Sequence, residues 1–136
     1  MKKISFVLVL CIFLSFGMNI VASAEENSIL PRYNNTIRCD KTFYIENNTA
    51  YAVVDCLGIT GVTTRTTIKI FIEKRVLLGL WWNEVDSWEV STTDINRIFV
   101  FTTAAKSGTY RCNFEITFEG NGGSADVITD QITVTN

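Results

Sequence analysis

Residues 108–118 constrain the fold more than any other part of the chain, because polar and apolar side chains alternate along their whole length. Tyrosine, cysteine, phenylalanine and isoleucine occupy the even positions from Tyr110 to Phe118, and polar residues occupy the odd positions. A period of two sends the two sets to opposite faces of a strand. The pattern predicts a long antiparallel strand with one face on a core and the other in water.

Similar runs follow one another along the chain, separated by turns that contain glycine, asparagine or serine. They lie at residues 37–45, 50–58, 61–75, 97–103 and 125–134. The unbroken apolar residues 98–101 suggest a strand with much of both faces covered. About seven short strands with regular turns predict a single antiparallel immunoglobulin-like β-sandwich, and an all-β barrel would show much the same pattern.

Residues 1–24 have the three parts of a cleavable secretory signal. Lys2 and Lys3 precede an apolar run, and Ala22-Ser23-Ala24 closes the segment with small residues. The apolar run is shorter than the roughly 20 residues that a membrane-spanning helix needs. We therefore expect a secreted, extracellular protein with residues 1–24 removed, residues 25–36 as an irregular lead-in and residues 37–136 as the sandwich domain.

The chain contains no histidine and is mildly acidic, with 12 basic and 14 acidic residues. Without histidine it cannot build Ser-His-Asp or Cys-His nucleophilic sites, and it lacks the commonest general base and imidazole metal ligands. The acidic balance, with no cluster of lysine and arginine, argues against nucleic acid as a partner. We expect no enzymatic activity, no cofactor and no bound metal.

Two of the predicted strands join through Asn47-Asn48, and asparagine tolerates the positive φ angles of a two-residue hairpin turn. With this turn, Cys39 lies directly opposite Cys56. The pair falls at a non-hydrogen-bonded site, where facing α-carbons come closest and lie within disulfide reach. In an exported protein this placement favours a disulfide between Cys39 and Cys56.

Two alternatives stay open: a pairing of Cys56 with Cys112, because immunoglobulin domains bridge their two sheets in this way, and no bridge at all. Cys11 leaves with the signal, so three cysteines remain and one of them stays unpaired. We expect the unpaired thiol to be Cys112, buried as a small apolar side chain. Tyr110, two residues before Cys112, fits a tyrosine corner, whose hydroxyl binds backbone just upstream, around residues 104–106.

An unbroken apolar run follows two basic residues in the middle of the chain. Strand alternation cannot place all of its side chains on one face, so some of them either fill one end of the core or protrude from a hairpin tip. If the run protrudes, it is the main candidate for binding. Its apolar members are Val76, Leu77, Leu78, Leu80, Trp81 and Trp82.

Four strings in the sequence resemble a family of small secreted proteins of Gram-positive bacteria, grouped as a domain of unknown function with an immunoglobulin-like pattern. They are Thr-Thr-Ile-Lys-Ile-Phe-Ile-Glu-Lys-Arg at 66–75, the spaced tryptophans of 82–88, Gly-Thr-Tyr-Arg at 108–111 and Gly-Gly-Ser-Ala-Asp at 122–126. The similarity covers nearly the whole mature chain. It implies export and a sandwich fold, and it carries no catalytic residues.

Two classes of function remain. The first, and our main expectation, is a secreted, non-catalytic binding or interaction module whose partner is a protein or glycan of the cell envelope. The second is a membrane-associating protein that uses residues 76–82 as an interfacial wedge beside Lys74 and Arg75. Tryptophan favours the headgroup boundary and leucine the acyl region, which suits such a wedge. The sequence identifies neither the ligand nor the oligomeric state.

Overall fold

The computed structural model describes residues 32–136, so the predicted signal at 1–24 and residues 25–31 of the lead-in lie outside the described residues. Seven β-strands and one short helical turn, Leu77–Gly79, make up this part of the chain. The strands are β1 (Thr36–Glu46), β2 (Thr49–Gly58), β3 (Thr63–Val76), β4 (Trp81–Thr92), β5 (Asn96–Ala104), β6 (Thr109–Gly120) and β7 (Asp126–Thr135).

The strands form two antiparallel sheets that enclose one core. One sheet has the order β1-β2-β5, and the other has the order β4-β3-β6-β7. The chain crosses between the sheets after β2, after β4 and after β5. This confirms the all-β immunoglobulin-like sandwich. The barrel alternative is wrong, because each sheet keeps two edge strands and neither closes on itself.

Strand β6 lies inside the four-stranded sheet, between β3 and β7, and it contains the alternating residues 109–118. Its even positions from Tyr110 to Phe118 are buried, and its odd positions reach water, as the alternation predicts. Burying a large apolar side chain stabilises the fold by about 1.5–3 kcal/mol. The buried core consists of Phe43, Ala50, Ala52, Val54, Cys56, Ile68, Ile70, Ile72, Ala105, Tyr110, Cys112, Phe114, Ile116, Phe118 and Ile128.

The β1–β2 hairpin has the two-residue turn that its sequence predicts. Asn47 and Asn48 have φ angles of 50° and 58°, the left-handed region that a type I′ turn requires at both positions. The turn length fixes the register of the two strands. Cys39 therefore pairs with Cys56, as the sequence predicts.

Strand β5 is an edge strand with one open face, so the expectation that much of both faces is covered is wrong. Phe99 and Phe101 turn inward and pack against the core. Ile98 and Val100 point outward and are 62 % and 58 % exposed. Apolar side chains on both faces of a strand do not require two covering layers, since much of any protein surface is apolar.

A buried hydrogen-bond network holds the start of β1 against the start of β7. The Asp126 carboxylate accepts hydrogen bonds from the backbone amides of Asn34 at 2.9 Å and Asn35 at 2.7 Å. It also accepts one from the Thr36 hydroxyl at 2.9 Å. Burial opposes ionisation of Asp126, but these donors together outweigh it and hold the pKa of Asp126 below its usual value.

The glycine-rich turn before β7 packs closely against this network. The Asn35 side chain donates to the Ser124 carbonyl at 2.9 Å and accepts from the Gly122 amide at 3.1 Å. A Cβ atom at Gly120 would overlap both the Val62 carbonyl and the Asn35 side chain. The glycines between β6 and β7 thus allow close backbone approach at the end of the sandwich opposite to the candidate site.

Candidate binding site at the hairpin tip

The β3–β4 hairpin extends past the last pairing between β3 and its other neighbour, β6. The final pair of β3 with β6 joins Lys74 to Tyr110. β3 continues to Val76, which pairs with Trp81 of β4. Beyond Lys74 the hairpin is therefore a two-stranded ribbon, with no third strand beside it in this sheet.

The apolar run on this ribbon is largely in water. Leu78 is fully exposed, Leu80 is 83 % exposed and Trp81 is 63 % exposed. Val76 and Trp82 are half-buried. The alternative that these side chains fill the core is thus wrong for Leu78, Leu80 and Trp81. We call these three residues the apolar tip.

The turn that carries the apolar tip has an unusual backbone. Leu78 and Gly79 have φ angles of 54° and 89°, both in the left-handed region. Arg75 donates from Nε to the Gly79 carbonyl at 2.9 Å and so closes the turn. Leu77 also belongs to the turn, but its side chain lies outside the described residues. The predicted binding residues from Val76 to Trp82 therefore come together at one end of the molecule.

Trp82 lies at the base of the apolar tip, beside two guanidinium groups. The Arg111 guanidinium is 4.3 Å from the centre of a Trp82 ring, and that of Arg75 is 5.8 Å away. Both distances fall within the range of cation–π attraction. These contacts hold the indole against the sheet, whereas the neighbouring Trp81 stays in water.

A row of polar side chains holds Arg111 in place. Its Nε donates to Glu73 at 2.5 Å, and Asn113 donates to the same carboxylate oxygen at 2.7 Å. The hydrogen bond from Arg111 is the main cause that lowers the pKa of Glu73, with burial opposing it and Asn113 adding to it. Gln131 continues the row with a hydrogen bond to Asn113 at 2.5 Å. The row crosses the outer face from β3 to β7.

Three cations surround the base of the apolar tip: Lys74, Arg75 and Arg111. The Lys74 ammonium lies 5.3 Å from the centre of the Tyr110 ring. Of the three, only Arg111 takes part in a salt bridge within residues 32–136. The tip region is therefore apolar at its end and has two cations at its base, Lys74 and Arg75, that form no salt bridge in the described chain, although the whole chain carries a formal net charge of −2.

Tyr110 fixes the loop between β5 and β6 next to this site. Its ring is buried, and its hydroxyl donates to the Lys106 carbonyl at 2.8 Å. This is the hydrogen bond of a tyrosine corner, at the upstream position that the sequence indicates. The Asn136 side chain ties the same loop to the end of the chain through the Ala105 carbonyl at 3.0 Å.

The cysteines form a second cluster, away from the tip. Cys39 and Cys56 face each other across the β1–β2 hairpin, and both are free thiols in the structure. The interaction between the two thiols lowers the pKa of Cys39 and raises that of Cys56. Cys112 is fully buried, and burial raises its pKa to about 12. The structure thus brings Cys39 and Cys56 together and leaves Cys112 as a buried thiol.

Two features of the structure had not been predicted from the sequence. The first is the contact of Arg111 with Trp82 and Glu73. The sequence gives only a weak indication of it, because Arg111 and Glu73 carry opposite charges on the polar faces of two predicted strands. The second is the network around Asp126, whose partners Asn34 and Asn35 are 92 and 91 residues away. No local pattern predicts contacts over such a separation.

The chain matches no protein-family model, no curated protein and no solved structure. Within residues 32–136, no helix is long and apolar enough to cross a membrane. In the same residues, no group of three or more histidine, cysteine, aspartate or glutamate side chains is placed to hold a metal ion.

Proposed function

We propose that this protein is a secreted, non-catalytic binding module that contacts its partner through the apolar tip. One observation carries the proposal. Leu78 is fully exposed and has a left-handed backbone, a conformation that costs a residue with a side chain roughly 1–2 kcal/mol. A leucine in this state weakens the fold and contributes nothing to the core. Contact with a partner explains why such a residue is present.

The residues around the tip are suited to recognition. Tryptophan and arginine are enriched among the residues that carry binding energy in protein interfaces, and Trp81, Trp82 and Arg111 lie together here. Fully burying a large apolar side chain yields about 1.5–3 kcal/mol. Burial of Leu78, Leu80 and Trp81 therefore supplies on the order of 5 kcal/mol before the cost of association. The surrounding cations and polar groups then provide orientation.

The proposed partner is a protein or glycan of the cell envelope. The predicted signal at residues 1–24 and the resemblance to secreted proteins of Gram-positive bacteria support export. The absence of histidine supports a role without catalysis. In an oxidising compartment we expect Cys39 and Cys56 to form a disulfide, because they are directly opposed strand partners and residues opposed in this way lie within disulfide reach.

Co-sedimentation with isolated Gram-positive cell walls tests the proposal. We expect the chain to pellet with walls and the double variant Leu78→Asp/Trp81→Ala to lose at least about tenfold in affinity. Aspartate tolerates a left-handed backbone, so the variant should keep its fold. The matched control is Ile98→Asp/Val100→Ala, which changes two exposed apolar residues on the opposite sheet. Equal binding by wild type and tip variant contradicts the proposal, and so does a loss that the control shares.

A second candidate function is association with a membrane surface. The specific observation is the order of side chains along the hairpin: leucines at the end, then Trp81, then Lys74 and Arg75 at the base without salt bridges in the described chain. From its interior outward, a lipid monolayer presents acyl chains, then the headgroup boundary, then lipid phosphates, in the order that matches these side chains. The negative charge of the whole chain opposes binding to anionic lipid.

Lipid vesicles distinguish the two candidates. If wild type pellets with anionic vesicles and not with isolated cell walls, and Leu78→Asp/Trp81→Ala does not pellet with the vesicles, the second candidate replaces the first. Added salt should then weaken binding, because Lys74 and Arg75 would contact charged headgroups. If neither protein pellets with neutral or anionic vesicles, membrane association is wrong.

A further inference from the structure

The two opposed cysteines of the β1–β2 hairpin differ in access. Cys39 lies on β1, an edge strand that is hydrogen-bonded to a neighbour on one side only. Cys56 lies on β2, between β1 and β5, and is 3 % exposed. Cys39 is only half-buried. A molecule approaching from solvent therefore reaches the Cys39 sulfur first.

Charges of both signs lie near the pair, and the cation nearest to Cys39 is Lys41, whose Nζ is also 3.6 Å from the Asp130 carboxylate. Lys41 lies on the same face of β1 and donates from Nζ to the Cys39 carbonyl at 3.3 Å. The acidic neighbours, Asp40 and Asp55, lie on the other face and both bind Arg38. The interaction with the Cys56 thiol is the main cause that lowers the pKa of Cys39; burial opposes it, Lys41 lowers the pKa further, and the charges of Asp40 and Asp55 raise it. Lowered pKa, a nearby cation and partial exposure are the features of reactive cysteines.

We propose that Cys39 and Cys56 form a reactive dithiol that exchanges with disulfides, with Cys39 as the attacking sulfur and Cys56 as the resolving one. The Cys39 thiolate attacks one sulfur of a disulfide RSSR, forms a mixed disulfide and releases one thiolate. Cys56 then loses its proton to solvent and attacks the Cys39 sulfur, which expels the second thiolate. The two protein thiols are oxidised to one disulfide, and RSSR is reduced to two thiols.

The strand geometry favours the second step. Directly opposed residues at a non-hydrogen-bonded position have α-carbons about 4.5 Å apart, which lies within the range that a disulfide spans. Cys39 and Cys56 are register partners across the hairpin, so closure requires little backbone movement. In the reverse direction, an external thiol meets the more accessible Cys39 sulfur of the bridge. Cys112 takes no part, because it is fully buried in β6.

The test uses 5,5′-dithiobis(2-nitrobenzoate), an aromatic disulfide that releases a coloured thiolate, with the purified and reduced chain of residues 25–136, which lacks Cys11. Wild type should release two thiolates per chain and keep no aryl group. Cys56→Ser should release one thiolate and keep the aryl group on Cys39, because the resolving sulfur is missing. Cys39→Ser should react at least about tenfold more slowly than Cys56→Ser. Peptide mapping by mass spectrometry locates the aryl group in each protein.

Two results would overturn the proposal. One is equal reaction rates for the two serine variants, and the other is wild type that retains an aryl group after the reaction. Near-UV circular dichroism of the tryptophans shows whether each variant is folded. If a variant unfolds, brief exposure of wild type to a trace of the reagent, followed by acid quenching and peptide mapping, decides the question. An aryl group on Cys39 then supports the assignment, and one on Cys56 refutes it.

Discussion

Replacing Asp126 by alanine should lower the free energy of unfolding by about 2–4 kcal/mol, and the hydrogen bonds of Asp126 set that magnitude. The Asn35 amide belongs to a fully buried residue, so water cannot replace its acceptor, and an orphaned buried donor costs about 1–3 kcal/mol. The Thr36 hydroxyl is also buried but can rotate, so its loss costs about 1 kcal/mol. The Asn34 amide is only part-buried and adds little.

The matched control is Asp94→Ala. Asp94 contacts Arg97 at 2.6 Å, which is shorter than any of the Asp126 contacts, but both side chains are more than half exposed. Exposed ion pairs contribute about 0–1 kcal/mol. The comparison therefore separates burial from contact distance as the source of stability.

Urea unfolding followed by tryptophan fluorescence measures both variants against wild type. The slope of the transition should stay the same, because neither substitution changes the surface exposed on unfolding. A loss below about 1 kcal/mol for Asp126→Ala, or one equal to that of Asp94→Ala, refutes the reasoning.

Wild type and Asp126→Ala also test how the free energy of unfolding depends on pH. The pKa of Asp126 is lower in the folded protein than the usual value of about 3.9. Its contribution is therefore present above about pH 4 and is lost as pH falls through the folded pKa. Wild type should lose more stability than Asp126→Ala between about pH 5 and pH 2. Equal losses contradict a stabilising carboxylate.

Three further predictions concern other positions, each measured by urea unfolding. Leu78→Asn should raise the free energy of unfolding by about 0.5–1 kcal/mol, because asparagine tolerates the left-handed backbone, and a less stable variant contradicts this reason. The same substitution should weaken binding to cell walls. Glu73→Gln should cost about 1 kcal/mol through its half-buried ion pair with Arg111, and no loss would show that the pair is inert. Gly120→Ala should cost about 1–3 kcal/mol because its methyl group overlaps backbone; an unchanged midpoint contradicts that contact.

The parts of the fold that depend on local pattern could be predicted from the sequence. The alternation along β6 identifies its buried face because strand side chains have a fixed period. The Asn47-Asn48 turn fixes the β1–β2 register, and with it the position of Cys39 opposite Cys56. Both inferences need only neighbouring residues and a known turn length.

The state of the 76–82 run could not be predicted, because it depends on where another strand ends. β6 stops pairing with β3 at Lys74, and only this endpoint leaves the apolar tip without a cover. A leucine or tryptophan is equally hydrophobic whether it fills the core or protrudes into water, so hydrophobicity does not distinguish the two cases. The exposed Ile98 and Val100 of β5 show the same limit, since no sequence pattern revealed that this outer face has no covering layer in the described chain.

Binding would be located most directly by hydroxyl-radical footprinting of the chain, free and bound to isolated cell walls. The proposed function predicts that Leu78, Leu80 and Trp81 become protected from oxidation when the chain binds. Tyr44, a partly exposed aromatic residue on the outer face of the other sheet, should stay as reactive as in the free chain. Protection of Tyr44 with an unprotected apolar tip would place the binding surface on the three-stranded sheet and contradict the proposal.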